Sequence, residues 1–557
     1  MTELGWYGWG DAAKTYPLDN RPGAWTFLRA ALDLKGTEEF RACDFESVQL
    51  RAPRIDEPTL TMALESDLRQ GSAPMQVFVR TDKRARVLHA YGRSYRDLVR
   101  LRRGEIPNPP DAVVYPATEE QVVRLVQFCA EKNIALVPFG GGSSVVGGVE
   151  PRDERVTITL DLTRLNRLLA LDAVSHMATI QAGILGPDIE RALNARGFTL
   201  GHLPQSFEFS TLGGWIATRG AGLSSTKYGK IETMTASVRV ATPRGMIETR
   251  TVPATAAGPS LLQLLIGSEG TLGVITQATM RLHELPKVSD YRALLFKRFT
   301  DGVAAIREML QNDPRSVPAT VRLSDEDETR SFFSLREKST GWKGFTERAG
   351  LRAVGALGYS FEHGALMILG FEGDADAVRA DKSRGLAVCK SHGAFDLGHG
   401  VARAWLRDRY ETPYLRDVLM DHGILVDTLE TATTWTNLEN LHAKLTAAIA
   451  RATESTGARA LVMTHVSHCY RDGASLYVTF LARMARGEEI EQWETIKRAA
   501  TECIMANGGT LTHHHGVGYE HAPWMKDEIG ARGLEALCAV KGVLDPANIM
   551  NPGKIFR

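Results

Sequence analysis

A strand that runs without a break into a glycine-rich turn constrains this chain more than any other feature. Ile134-Ala135-Leu136-Val137-Pro138 reads as a buried strand. The segment Pro138-Phe139-Gly140-Gly141-Gly142-Ser143-Ser144-Val145-Val146-Gly147-Gly148 follows it directly. Consecutive glycines let backbone amides turn toward one point without Cβ clashes, which makes a nest for an anionic group such as a pyrophosphate. The turn lacks the Gly-Lys-Ser/Thr of a Walker loop and the spaced glycines of a Rossmann turn.

The surroundings have an α+β rhythm. Thr118-Glu119-Glu120-Gln121 predicts a capping box that opens a helix through about Lys132. Val156 to Leu160 and Met177 to Ile180 alternate as strands, and Pro187 to Arg196 reads as a helix ended by Gly197. Val238, Val240 and Val274 to Leu282 suggest further strands. The expected organisation is a partly helical N-terminal region at 1–104 and a first α+β domain at 105–285. A second α+β domain follows at 286–510, with helices at Asn437 to Thr453 and Glu489 to Asn507. A C-terminal loop and helical tail occupy 511–557. Between Ser331 and Arg352, Phe332, Phe333, Leu335, Trp342 and Phe345 interleave with Arg336, Lys338, Lys343 and Arg348. Such a loop-like segment suits a lid or a membrane-surface contact.

Composition excludes some partners. Lys+Arg and Asp+Glu both total 66, so no global field draws in nucleic acid. The six scattered cysteines form no CxxC pair and read as reduced thiols. No secretory signal, membrane-spanning stretch or Ser-Lys-Leu terminus is seen, so the expected location is cytoplasmic.

Three more segments offer glycines, hydroxyls and free amides. They are Pro204-Gln205-Ser206-Phe207-Glu208-Phe209-Ser210, then Ala217-Thr218-Arg219-Gly220, and Gly267-Ser268-Glu269-Gly270-Thr271-Leu272-Gly273-Val274. In this order, with the 138–148 turn, they resemble the FAD-binding domain of the vanillyl-alcohol oxidase superfamily. The resemblance implies a two-part FAD-binding domain with a substrate (cap) domain and helical terminal regions. It implies FAD contacts at residues 138–144, 204–210, 217–220 and 268–274, with the pyrophosphate on the first loop. Some members attach the flavin through a histidine in that loop. Gly142-Ser143-Ser144 has no such group, so noncovalent FAD is expected.

Two later segments carry the polar chemistry. In Gly473 to Phe480, Ser475, Tyr477 and Thr479 share one strand face, while Leu476, Val478 and Phe480 share the other. Gly508-Gly509-Thr510-Leu511-Thr512-His513-His514-His515-Gly516-Val517-Gly518 reads as a loop projecting imidazoles. Three adjacent histidines cannot all face one way, so a metal site built from this run is geometrically poor and no metal is expected. The histidine run, Tyr470 to Tyr477, Gly8-Trp9-Gly10, Val321-Arg322-Leu323, Tyr414-Leu415-Arg416-Asp417 and Glu430-Thr431 resemble the alkyldihydroxyacetonephosphate synthase family.

That resemblance implies redox-neutral exchange of the acyl chain of acyl-dihydroxyacetone phosphate for a fatty alcohol. Tyr477 would remove a proton from the carbon bearing the ester, and flavin N5 would hold that carbon until the alcohol adds. For that, the tyrosine pKa of about 10 is to be lowered by its neighbours. His513 and His515 match activity-linked histidines that could supply a positive or donor environment, and His514 between them is counted with them as catalytic. Arg416 matches the substrate-binding arginine, and Arg322 another activity-linked arginine. The expected partners are the two lipid substrates and a peripheral membrane surface, with a homodimer left open. The competing readings are a 2-hydroxyacid dehydrogenase, suggested by Leu544 to Lys554, an alcohol or phenol oxidase, and a noncatalytic scaffold.

Overall fold

The computed structural model describes residues 4–18, 21–65, 78–312, 317–335 and 354–556. Its α+β architecture rests on three main sheets. A four-stranded sheet has the order Phe78–Arg80, Ala112–Tyr115, Thr157–Asp161, Ala135–Phe139. Its last three strands are parallel, and its first pairs antiparallel. Ala112–Tyr115 and Ala135–Phe139 are nearly continuous apolar runs, and the alternating Thr157–Asp161 lies between them, because a helix must cover these strands. That helix is Glu119–Lys132, whose Val122, Leu125, Val126 and Cys129 are buried against Leu136, Ile158 and Leu160.

Thr118 Oγ1 accepts from Gln121 N at the start of this helix. The expected return bond goes elsewhere: Gln121 Oε1 accepts from Ala117 N at 2.6 Å, one residue before the cap. A full capping box instead joins Ser94 and Asp97 at the helix Tyr95–Arg103.

The second sheet is antiparallel, in the order Leu168–Asp172, Met177–Gln181, Val274–Arg281, Thr235–Thr242, Gly245–Glu248. The predicted helix after Leu185 spans Gly186–Asn194. The four- and five-stranded sheets give the two-part arrangement expected of the first domain. The chain's end returns to it: Leu136 N donates to Ile549 O, and Asn551 N donates to Leu136 O, both at 2.8 Å.

The third sheet holds seven antiparallel strands, in the order Phe395–Gly398, Val288–Phe296, Ala365–Gly373, Thr320–Ser324, Ala460–Cys469, Gly473–Arg483, Ile424–Thr434. Period-2 burial works as read from the sequence. Leu476, Val478 and Phe480 are fully buried, in cores built with the helices Trp435–Ser455 and Glu489–Ala506. Tyr477 and Thr479 face a cavity on the opposite side.

The residues Ser331 to Leu335 are not a loop. They end the helix Glu326–Leu335, and Phe332, Phe333 and Leu335 line the cavity. The remainder of that basic and aromatic stretch, 336–352, lies outside the described residues. Among the described residues no helix is long and apolar enough to cross a membrane.

Candidate active site

One cavity of about 1600 Å³ joins the glycine segments to the third sheet. Residues 138–144 line it as a continuous run. The run adopts its path because two backbones meet there: a Cβ on Gly141 would fall 1.7 Å from Phe209 O. Pro204, Gln205, Ser206, Ser210, Ala217, Thr218, Gly220, Glu269, Gly270 and Gly273 complete the glycine-rich end.

Other residues assigned to this site from the sequence lie behind the wall, each with a partner that explains it. Phe207 stacks on Tyr410, and Phe209 packs edge-on against Trp9. Glu208 forms an ion pair with Lys14 at 2.9 Å. Arg219 donates to the carbonyls of Ile266 and Gln263 and so braces the third glycine segment. Thr271 Oγ1 donates to Ser268 O, while Leu272 and Val274 are core residues.

Glu269 couples this segment to the histidine loop. Its Oε1 accepts from Val517 N at 2.5 Å and its Oε2 from Gly518 N at 2.8 Å. Burial pushes the Glu269 carboxyl up to about 7. Gly518, at φ +54°, passes so close to Val146 O that a Cβ would fall 1.9 Å away. Asn551 Nδ2 donates to Gly148 O and Glu269 O, closing the assembly with the C-terminal segment.

At the other end, sheet pairing builds a row. Ser324 pairs with His465, His465 with Tyr477, and Tyr477 with Glu430. Directly paired residues share a face, so all four point one way. The His465 ring stacks on Tyr477, with centroids 4.8 Å apart. His514 and His515 approach the same phenol ring at 6.1 and 5.7 Å. His513 turns aside to bond Tyr470 Oη through Nε2 at 2.6 Å. It is the one histidine of the run that does not line the cavity.

Arg416 and Arg322 differ in how far they are committed. Arg416 lies over the Trp9 ring and donates through one terminal nitrogen to Arg93 O. Its Nε and its other terminal nitrogen are buried without a hydrogen-bond partner among the described residues. Such a fork suits two oxygens of a phosphate or carboxylate. Arg322 spends its guanidinium on Glu328 Oε1 at 2.9 Å and His465 Nε2 at 3.0 Å. Arginine only donates, so His465 Nε2 is the acceptor and His465 Nδ1–H donates to Glu328. Arg322 therefore orients His465 beside Tyr477.

Two electrostatic expectations are corrected. Burial pushes the Tyr477 hydroxyl above its ordinary value, outweighing the downward pull of Thr428 and Arg416. Burial also holds the imidazoles neutral: His513 falls to about 3, His514 well below the ordinary range, and His515 lower. The loop thus offers neutral donors and acceptors, and the fixed positive charge comes from Arg416.

Sequence reasoning left out His465, His468 and Thr428, which also line the cavity, and gave Glu430 no role in the site. Alternation along Ala460–Cys469 carried a signal for His465 and Ser467. His468 turns inward through an irregularity between Val466 and Cys469. Ligand nitrogens of His468, His513 and His514 fall within 4.8 Å of one another. His468 Nδ1 is bonded to Ser225 Oγ at 2.7 Å, and His513 Nδ1 to His514 Nδ1 at 3.0 Å.

Part of the cavity wall is apolar. Phe332, Phe333, Ile368, Val401, Trp405 and Met463 contribute to it.

Residues 110–250 match the family model described as "FAD binding domain", and residues 285–555 match "FAD linked oxidases, C-terminal domain". The alkyldihydroxyacetonephosphate synthase of Dictyostelium discoideum is 34% identical, covering 100% of this chain and 93% of that protein. The enzyme of the same name from Trypanosoma brucei brucei is 35% identical, over 100% and 92%. This chain belongs to the alkyldihydroxyacetonephosphate synthase family.

A solved alkyldihydroxyacetonephosphate synthase structure superposes with a TM-score of 0.81 at 32% identity, over 99% of this chain and 98% of that one. A p-cresol methylhydroxylase structure, at 14% identity and a TM-score of 0.68, shares the fold alone. The synthase-family chain is an FAD enzyme. Its glycine wall fits that cofactor, because a cradle closed to any Cβ at Gly141 leaves its backbone open to a pyrophosphate.

Proposed function

We propose that this chain exchanges the acyl chain of 1-acyl-dihydroxyacetone phosphate for a long-chain fatty alcohol, giving the alkyl ether without net redox change. The single observation behind this reading is the joined cavity. It joins a flavin cradle, Tyr477, the free fork of Arg416 and an apolar stretch of wall. An ordinary hydroxyacid oxidoreductase has no use for that apolar wall.

Arg416 binds the phosphate through the two nitrogens that have no partner among the described residues. Tyr477 takes the proton from the carbon bearing the ester. The Arg416 guanidinium favours the phenolate that this step requires, working against the burial that raises the hydroxyl above its ordinary value. His514 and His515 pack against the Tyr477 ring and fix its direction. The aromatic wall at Phe332, Phe333 and Trp405 takes the alkyl chain and excludes water from the reacting carbon. FAD supplies the electron-accepting ring chemistry and is held without a covalent bond, since the 138–148 turn carries no histidine or cysteine. The substrates reside in lipid, so the chain works at a membrane surface.

Purified protein is incubated anaerobically with acyl-dihydroxyacetone phosphate and labelled hexadecanol, and the lipids are read by mass spectrometry. Labelled ether formed without an electron acceptor supports the reading. No ether, with flavin bleaching by a hydroxy acid, replaces it with a dehydrogenase.

A further inference from the structure

A buried carboxylate stands on the strand paired with Tyr477 and is bonded to no lysine or arginine among the described residues. Glu430, on the strand Ile424–Thr434, pairs with Tyr477 and is 3% exposed. Its Oε1 accepts from Thr512 Oγ1 at 2.7 Å, His514 N at 3.0 Å and His515 N at 2.9 Å. Its Oε2 accepts from His513 N at 2.5 Å. Three successive backbone amides and a hydroxyl therefore converge on one carboxylate, and those amides belong to the three histidines. Lys230 Nζ completes the hold by donating to His513 O at 2.6 Å.

We propose that Glu430 is the positioning residue of this site, fixing the three-histidine loop by its backbone so that the imidazoles of His514 and His515 meet Tyr477. This inference rests on the function proposed above. Three glycines at 508, 509 and 516 flank the histidine run, and nothing intrinsic to such a sequence selects one loop conformation. Hydrogen bonds from successive amides to one anchored anion do select one, as in the backbone nests that bind free anions. Burying a carboxylate is costly unless charge-assisted bonds compensate, and here four donors do so.

The anion also acts on the rings. It lies 3.6 Å from His514 Nδ1 and 3.7 Å from His515 Nδ1, which favours the proton on those nitrogens. Burial alone would raise the Glu430 carboxyl, but the amides of the histidine loop that converge on it, His514 N among them, hold it below the usual carboxylate range. Glu430 thus stays charged, does not line the cavity, and works through the loop.

The test compares Glu430→Gln and Glu430→Asp with the parent as FAD-saturated holoenzymes. Glutamine keeps the volume, loses the charge, and turns an NH₂ donor toward amides that also donate. The expected result for Glu430→Gln is a loss of about 100-fold in kcat, the scale of losing oriented polar groups at a reaction centre. KM and flavin stoichiometry should stay within about threefold of the parent, and amide hydrogen exchange over 512–516 should accelerate at least about tenfold. Glu430→Asp, which keeps the charge, should recover kcat at least about tenfold over Glu430→Gln.

Unchanged amide exchange in Glu430→Gln overturns the proposal, as does kcat within threefold of the parent. Loss of kcat in step with loss of bound flavin assigns a merely structural role and also overturns it, as does an aspartate variant no better than glutamine. Absence of ether product from the parent itself strikes the function reading. In that case the exchange measurement alone decides whether the carboxylate holds the loop.

Discussion

Replacing Gly141 by alanine probes the meeting of two backbones at the flavin cradle. The added methyl carbon falls 1.7 Å from Phe209 O, 2.7 Å from Phe209 C and 2.9 Å from Ser210 Cα. Non-bonded heavy atoms keep about 3.5 Å, so the turn and the 204–210 segment must part by well over an ångström. No side-chain rotation relieves this, because every clashing atom is backbone. Overpacking typically costs about 1–3 kcal/mol, and contacts of this kind belong at the upper end. If about 2–3 kcal/mol falls on the flavin-holding conformation, the dissociation constant rises about 30- to 150-fold.

The assay is the flavin-to-protein absorbance ratio after desalting, followed by a flavin fluorescence titration, with circular dichroism reporting the fold. Gly542→Ala serves as the control. It lies within the helix Met525–Leu544 with nothing within 4 Å of its added Cβ, and should bind flavin normally while gaining about 0.5–1 kcal/mol. A Gly141→Ala protein that keeps one flavin per chain, with a dissociation constant within threefold of the parent, refutes the close-contact reasoning.

Other outcomes follow from the same geometry. Tyr477→Phe should lower kcat at least about 100-fold while leaving flavin binding intact, measured by ether formation at saturating substrate. Arg416→Lys loses the fork and should cut kcat/KM for the phosphate substrate about 10- to 100-fold; equal kinetics would remove Arg416 from the site. His521 is buried, with its pKa lowered to about 4 mainly by burial. Its neutral form therefore favours folding above about pH 6.5, and that contribution is lost as the pH falls toward 4. The stability advantage of the parent over His521→Asn should shrink by about 2–3 kcal/mol across that window, read from urea midpoints. Acid precipitation should release all the flavin into the supernatant, and yellow colour left in the pellet would show a covalent bond.

Local features of the site were legible in sequence, and long-range convergences were not. The 138–148 turn, the strand feeding it and the polar face at Tyr477 each depend on neighbours a few residues away, so composition and period reveal them. Glu430 and His513 are 83 residues apart, and only strand pairing brings the carboxylate under the amides. The guanidinium of Arg322 was free to bind substrate as far as the sequence showed. Its engagement by Glu328 and His465 depends on where the helix Glu326–Leu335 and the strand Ala460–Cys469 come to lie. The same holds for charge. A tyrosine between polar neighbours reads as one with a lowered pKa, but burial decides the direction, and burial is a property of the whole fold.

The row Ser324, His465, Tyr477 and Glu430 makes the third sheet intolerant of length changes. Removing a single codon between the row and the turn at 470–472 would rotate His465 or Tyr477 through half a pleat, into the compartment filled by Leu476, Val478 and Phe480. Codon-deletion scanning of this hairpin should therefore find two silent-looking strands in which almost every loss is lethal. Deletions in the exposed stretch at 253–259, outside the third sheet, should pass unnoticed. Chemistry here is encoded as much by the count of residues between turns as by their identities.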